Sequence, residues 1–218
     1  MDNIKVKVKN ERPKIIVILG PTASSKTELS LKLAKKFNGE IVSADSRQIY
    51  RGLNIGTAKP SKKEMLEIPH HLIDVVTPNK TFTVSHYQKL AIKAITSILK
   101  RGKIPFLVGG TGLYIKAVVE NLDIPKVKLD KKLRKNLELK IKTKGLRFLY
   151  EKLIKLDPEV AYIVDPKNPR RVIRALEVTL KTKKPFSQQY KKKEPLFDAL
   201  QIGLKITKDK LKEKIEKR

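Results

Sequence analysis

Apolar strands that alternate with amphipathic helical stretches predict an α/β fold, a parallel sheet flanked by helices and carrying a helical insertion. Three observations lead there. A continuous apolar run, KIIVIL at 14–19, ends at Gly20 and passes through a serine-rich turn into helical periodicity. A second apolar run at 105–108 ends at another glycine cluster, Gly109, Gly110 and Gly112. From 126 to about 195 the chain turns lysine-rich and helical, and strand character then returns at 200–204.

Each element has its own reason. Residues 14–19 are apolar without alternation, as a strand buried on both faces requires. Leu29, Leu31, Leu33, Ala34 and Phe37 give residues 28–37 one apolar face, and Asn38-Gly39 stops that helix. Residues 40–43 read as a second strand with Asp45 just past its end. Ser61 is placed to cap a short helix over 61–66. Residues 72–75 read as a third strand, and 85–99 have helical spacing. Three helices follow, at 129–142, 146–156 and 169–180, then a basic loop at 181–193 and a terminal helix over 207–218. The expected organisation is a core over 1–124, a basic helical insertion over 125–196 and a return to the core over 197–218. Ligands of such sheets sit outside the carboxyl ends of the strands, where Gly20, Asp45 and Gly109 all fall.

Composition narrows the function. The chain has 218 residues, with 50 Lys and Arg against 22 Asp and Glu, a formal charge of +28. A field of that sign attracts polyanions, nucleic acid first among them. The excess is uneven: 29 basic and 12 acidic residues give +17 over 126–218, against +11 over 1–125. There is no cysteine, which excludes disulfides, thiolate metal sites and a cysteine nucleophile, and suits a reducing compartment. No run of 18 apolar residues is present, and the basic start MDNIKVKVKN lacks the apolar stretch of a secretory signal. His70-His71 and His86 lack thiolate partners, so no zinc site is expected.

Four motifs carry chemistry. Gly20, Pro21, Thr22, Ala23, Ser24, Ser25, Lys26 and Thr27 stand between a strand and a helix, where a phosphate loop belongs. Backbone amides and the helix N-terminus would hold an oligophosphate, Lys26 would neutralise its oxygens, and Thr27 would reach a Mg²⁺. Ser25 stands where the pattern has glycine. If its φ is positive, its Cβ costs roughly 1–2 kcal/mol. Asp45, followed by Ser46, Arg47 and Gln48, is a carboxylate beside that loop, able to act as base, metal ligand or cap. The glycines around Thr111 permit close approach of backbone to a ligand. In Asn168-Pro169-Arg170-Arg171-Val172-Ile173-Arg174, three arginines gather at one helix end with only Glu177 near in sequence, which favours an external anion.

Taken together, GPTASSKT (20–27), DSRQIYRGLNIGTAKP (45–60), PHHLID (69–74), LVGGTGLY (107–114) and NPRRVIRALEV (168–178) resemble the tRNA dimethylallyltransferase (isopentenyl-diphosphate:tRNA transferase) family, in the family's order. The resemblance implies a P-loop NTPase-like sheet with its nucleotide-binding, ATP-binding loop, Mg²⁺, and a cytoplasmic, monomeric enzyme. Its reaction would move a dimethylallyl group from dimethylallyl diphosphate to the exocyclic amine of the adenine 3′ of the anticodon. The resemblance makes Asp45 the general base and places Thr111 at the reacting groups. It further implies that Asp45, Ser46, Arg47, Gln48, Thr111, Arg134, Arg170, Arg171, Val172, Ile173 and Arg174 face the tRNA anticodon stem-loop. Family members normally continue past Arg218 into further helices, so the chain reads as lacking that part. Three other readings share these residues: an adenylate isopentenyltransferase acting on free nucleotide, a phosphoryl transferase, and an RNA-binding relative without turnover.

Overall fold

A computed structural model describes residues 12–125, 127–189 and 191–216. The charged lead-in over 1–11 and the last two positions of the expected terminal helix lie outside them. The chain divides into two compact units, Met1–Asn121 with Glu194–Arg218, and Leu122–Lys193.

The first unit is built on a five-stranded sheet in the order β3-β2-β4-β1-β7, every neighbouring pair parallel. The strands are β1 (Lys14–Leu19), β2 (Gly39–Ser43), β3 (His70–His71), β4 (Ile104–Gly109) and, past the second unit, β7 (Asp198–Gly203). Helices α1 (Lys26–Lys36), α2 (Lys62–Glu67), α3 (Val84–Lys100), α4 (Gly112–Val119) and α8 (Lys208–Glu216) complete it. This is the P-loop NTPase-like arrangement the alternating pattern predicts. Alternate residues of each strand feed opposite faces. Ile15, Val17, Val42 and Leu107 pack with Ala91, Ile95 and Ile98 of α3 and Ile115 and Val118 of α4. Ile18, Ile41, Phe106 and Val108 pack on the other face with Ala34 of α1 and with Ile68. Two-sided burial is why β1 and β4 read as unbroken apolar runs.

One boundary of this unit departs clearly from expectation. The third strand is His70–His71 rather than 72–75. Leu72 (φ 64°) and Asp74 (φ 56°) are left-handed, which ends the extended run. The turn is held from elsewhere in the unit: Arg51 Nε donates to the Asp74 carbonyl at 2.8 Å and Lys59 Nζ to its carboxylate at 2.6 Å. Ser61 does cap α2, in a capping box with Glu64.

The second unit has its own core. Its elements are β5 (Leu122–Asp123), α5 (Lys131–Leu156), a 3₁₀ turn (Pro158–Tyr162), α6 (Pro169–Thr182), α7 (Phe186–Gln189) and β6 (Lys191–Lys192). Gly145 (φ 81°) breaks α5 into two helical stretches. The expected basic loop instead contains α7 and β6, the latter antiparallel to β5. Leu137, Leu149, Leu153, Val160, Val172 and Leu176 fill the centre.

Candidate functional site

The turns that follow β1, β2 and β4 line one cleft of about 450 Å³ in the first unit. The first of them is the phosphate-loop sequence. Gly20 is there because of crowding: a Cβ would lie 2.8 Å from Ser24 Oγ and 3.0 Å from the Leu204 carbonyl. Ala23 (φ 62°) and Ser25 (φ 63°) are both left-handed, so Ser25 meets the condition under which its side chain is costly. Lys26 Nζ donates back to the Pro21 carbonyl and closes the loop. Ser25 precedes α1 without capping it through its side chain. A helix N-terminus without a side-chain cap is electrostatically suited to an anion. Thr22 to Thr27 line the cleft, while Gly20 and Pro21 form the base of the loop behind them.

Asp45 follows β2 and enters the same cleft. Its Oδ1 accepts from the backbone amides of Arg47 (2.8 Å) and Gln48 (3.4 Å). Those bonds fix the carboxylate through Oδ1. Arg47 is exposed and lines the cleft. Gln48 also lines the cleft, and its side-chain amide is engaged within the protein. Its Nε2 donates to the Thr57 and Ala58 carbonyls at 3.2 and 3.1 Å, and its Oε1 accepts from Ser43 Oγ at 3.0 Å. Both amide hydrogens are spent on holding the chain at 57–58, which lines another part of the cleft.

The turn after β4 locks onto the turn after β2. The Ala44 carbonyl lies 2.2 Å from where a Cβ on Gly109 would be, so no other residue fits there. Thr111 donates its amide to the Ala44 carbonyl at 3.1 Å, and its Oγ1 accepts from the Ser46 amide at 3.0 Å. The Thr111 hydroxyl hydrogen stays available, since that bond uses only a lone pair. Beneath them Tyr87, fully buried, donates to the Ser43 carbonyl at 3.0 Å and stacks on Tyr114 with ring centroids 3.9 Å apart. Burial, with Tyr50 and Asp45 nearby, pushes the Tyr114 phenol up to about 12. Burial pushes Tyr87 well up too, so both rings stay neutral supports.

Two further side chains, Lys214 and His70, reach the cleft. Lys214 of α8 lines it, with Nζ 3.2 Å from Ser25 Oγ. Strand order is the signal that could have found it: β7 pairs with β1, so the helix after β7 starts beside the loop after β1. His70 also lines the cleft, its Nδ1 2.6 Å from the Ile68 carbonyl. Burial lowers its pKa, so the ring is a neutral wall. His71 turns away to Glu40, with Nε2 2.7 Å from Oε2. Among the described residues no group of three or more His, Cys, Asp or Glu could hold a metal ion.

In the second unit the arginine motif separates into two halves. Arg170 and Arg171 are exposed in the first turn of α6, which Asn168 caps through its side chain. The expectation that Val172 and Ile173 face a ligand is corrected: both are core residues, 0% and 6% exposed. Arg174 and Arg134 are half-buried and held inside the unit. Both are ion-paired with Glu177, itself 0% exposed: Arg134 binds it through two nitrogens at 3.0 and 2.6 Å, and Arg174 at 2.7 Å. Burial pushes the Glu177 carboxyl up, but bonds from Arg134, the Asp130 amide and Arg174 outweigh it and bring it down to about 2. One carboxylate thus answers Arg174, one of the three arginines of the motif, together with the more distant Arg134. The unit remains strongly basic, with 22 basic against 8 acidic residues, a net of +14.

The IPP transferase family model matches residues 48–218. The chain is 46% identical over 207 residues to the tRNA dimethylallyltransferase of Acetivibrio thermocellus, covering 94% of this chain and 66% of that protein. The full-length tRNA isopentenylpyrophosphate transferase of Bacillus halodurans superimposes with a TM-score of 0.62 at 43% identity, over 94% of this chain and 64% of that one. A eukaryotic dimethylallyltransferase acting on tRNA gives a TM-score of 0.74 at 33% identity, over 94% and 53%. The chain spans about two thirds of the length of the curated relatives it matches.

Proposed function

The chain belongs to the IPP transferase family, and from that premise we propose that it transfers a dimethylallyl group from dimethylallyl diphosphate to tRNA. The acceptor is the exocyclic amine of the adenine 3′-adjacent to the anticodon, and pyrophosphate is released. The observation that carries the reading is that residues 22–27 of the phosphate-loop sequence and a carboxylate, Asp45, line one cleft of about 450 Å³.

The chemistry follows from the placement. The α1 amides, Lys26 and Lys214 hold the diphosphate and stabilise charge as the C–O bond breaks. Thr111 keeps a donor hydrogen beside Asp45, through their shared turn at Ser46. The adenine amine attacks the allylic carbon, and the proton it sheds goes to Asp45 Oδ2. Positioning matters as much as basicity, since an adenine amine is a poor nucleophile.

The residues present fit Mg²⁺ only as a substrate-borne ion. Thr27 is one oxygen ligand at the start of α1, and no cluster of three carboxylate or imidazole ligands exists among the described residues. Bound on the diphosphate, the ion would neutralise the leaving group.

The basic second unit, with Arg170 and Arg171 exposed, is the reading's tRNA-facing surface. No described helix is long and apolar enough to cross a membrane. A cysteine-free chain acting on tRNA suits the cytoplasm, and the reading takes the enzyme as a monomer.

Incubation with Mg²⁺, dimethylallyl diphosphate and an anticodon stem-loop, read by mass, tests the proposal. The stem-loop should gain one dimethylallyl group, and the Asp45→Ala protein should give none. Prenylation of AMP in preference to the stem-loop would favour the free-nucleotide alternative instead.

A further inference from the structure

The segment between Tyr50 and Pro60 is a rigid loop that holds aliphatic side chains in solvent. Ile55 is 95% exposed and Leu53 42%. Such exposure is usual in a mobile loop, but this one is braced at every limb. The Lys59 side chain is only 4% exposed, and its ammonium donates to the Tyr50 carbonyl (2.5 Å), Asn54 Oδ1 (3.2 Å) and Asp74 Oδ1 (2.6 Å). The Thr57 hydroxyl donates to the Leu53 carbonyl. The Ala58 amide donates to the Ile55 carbonyl at 3.1 Å. Gln48, three residues from Asp45, holds the descending limb through the Thr57 and Ala58 carbonyls.

That descending limb, residues 56–58, lines the cleft that contains Asp45. The aliphatic tip is therefore one residue removed from the lining. Cations flank it: Arg47 and Arg51 are both exposed. Two aliphatic side chains are too little surface for a protein partner, which needs about 800 Å² on each side. Paired with cations beside a cleft, they suit the flat faces of unstacked bases next to a phosphate backbone.

We propose that Leu53 and Ile55 form an unstacking wedge for single-stranded RNA, entering the base stack as the target adenine leaves it for the cleft. The proposal rests on the tRNA-prenylation reading and adds positioning residues to it. A base drawn from a stack leaves a gap whose unstacking must be compensated, and a rigid apolar tip fills it without an ordering cost of its own.

The test uses the full chain and an anticodon stem-loop carrying 2-aminopurine at the target adenine. Binding is read by anisotropy and unstacking by 2-aminopurine fluorescence. The unaltered protein should bind and raise the fluorescence. A Leu53→Ala, Ile55→Ala double variant should bind within about threefold, through the cations, yet give about a tenth of the rise. Ile55→Leu should restore most of it. Thermal unfolding of the double variant should be unchanged, since the tip packs against solvent. An equal fluorescence rise in the double variant would overturn the wedge and leave the prenylation reading standing. Binding without any rise in the unaltered protein, or no binding at all, would overturn base extrusion and the wedge together.

Discussion

Lys214 Nζ lies 3.2 Å from Ser25 Oγ, tying the final helix to the phosphate loop across 189 residues of sequence. Ser25 is, with Ala23, one of the loop's two left-handed residues, at φ 63°, and Lys214 donates to its hydroxyl. The two positions make separable predictions. Ser25→Gly removes a left-handed penalty of roughly 1–2 kcal/mol and adds glycine's unfolded-state entropy of roughly 0.5–1 kcal/mol. Stability should rise by about 0.5–1 kcal/mol, measured as a higher urea midpoint at unchanged slope. A lower midpoint would mean that the Lys214 contact outweighs the strain.

Lys214→Ala should weaken diphosphate binding by about tenfold, the loss expected for one charge-assisted contact. Calorimetric titration with pyrophosphate and Mg²⁺ reads this directly. Unaltered affinity would remove Lys214 from the diphosphate site.

Asp45→Asn keeps the shape of the side chain and its Oδ1 acceptor but deletes the base. Its kcat should fall by about 10²- to 10⁴-fold while pyrophosphate binds within about twofold of the unaltered protein. Equal loss of binding and turnover would instead make Asp45 a structural brace for the Arg47 and Gln48 amides.

Much of the first unit is legible in the sequence because its signals are local. β1 and β4 are apolar runs, and the turns after them carry the glycines that close backbone contacts require. The third strand was misplaced by a non-local cause: residues 72–75 look extended, but Arg51 and Lys59 hold Leu72 to Asp74 in a turn. The pairing of Glu177 is hidden from the sequence for a related reason. Arg134 lies 43 residues from its partner, and a carboxylate with two oxygens serves more than one arginine. Val172 and Ile173 were legible all along. With Leu176 they share one face of α6, and Arg170, Arg171 and Arg174 take the other. Motif matching overrode that periodicity.

The Glu177 cluster predicts a pH dependence in acid. Its carboxyl titrates near 2 when folded, against an ordinary value of 4.5. Glu40 behaves alike: burial raises it, but His71, Lys103 and Arg101 bring it down to about 2. A carboxyl depressed by folding stabilises the native state above its unfolded pKa and loses that contribution as pH falls through the folded one. Thermal midpoints should therefore be flat with respect to these groups above about pH 4.5 and fall between there and pH 2. Glu177→Gln should start lower at pH 7 and show a shallower fall over that window. A slope identical to that of the unaltered protein would mean that Glu177 does not stabilise the fold.

The split within the arginine motif is testable through salt. Arg170 and Arg171 are exposed at the start of α6, whereas Arg174 is held by Glu177 and by the Val127 and Pro125 carbonyls. If the exposed pair neutralises phosphates, replacing both with Ala should weaken stem-loop binding and lower the slope of log K against log salt by about 1–2. Thermal stability should hold, because neither side chain has a structural partner comparable with Glu177. Arg174→Ala should do the reverse, leaving the salt slope nearly unchanged while lowering the thermal midpoint, since it strips a partner from a buried carboxylate. A salt slope that fell equally in both variants would show that the ion pair opens to RNA, and would return Arg174 to the binding surface.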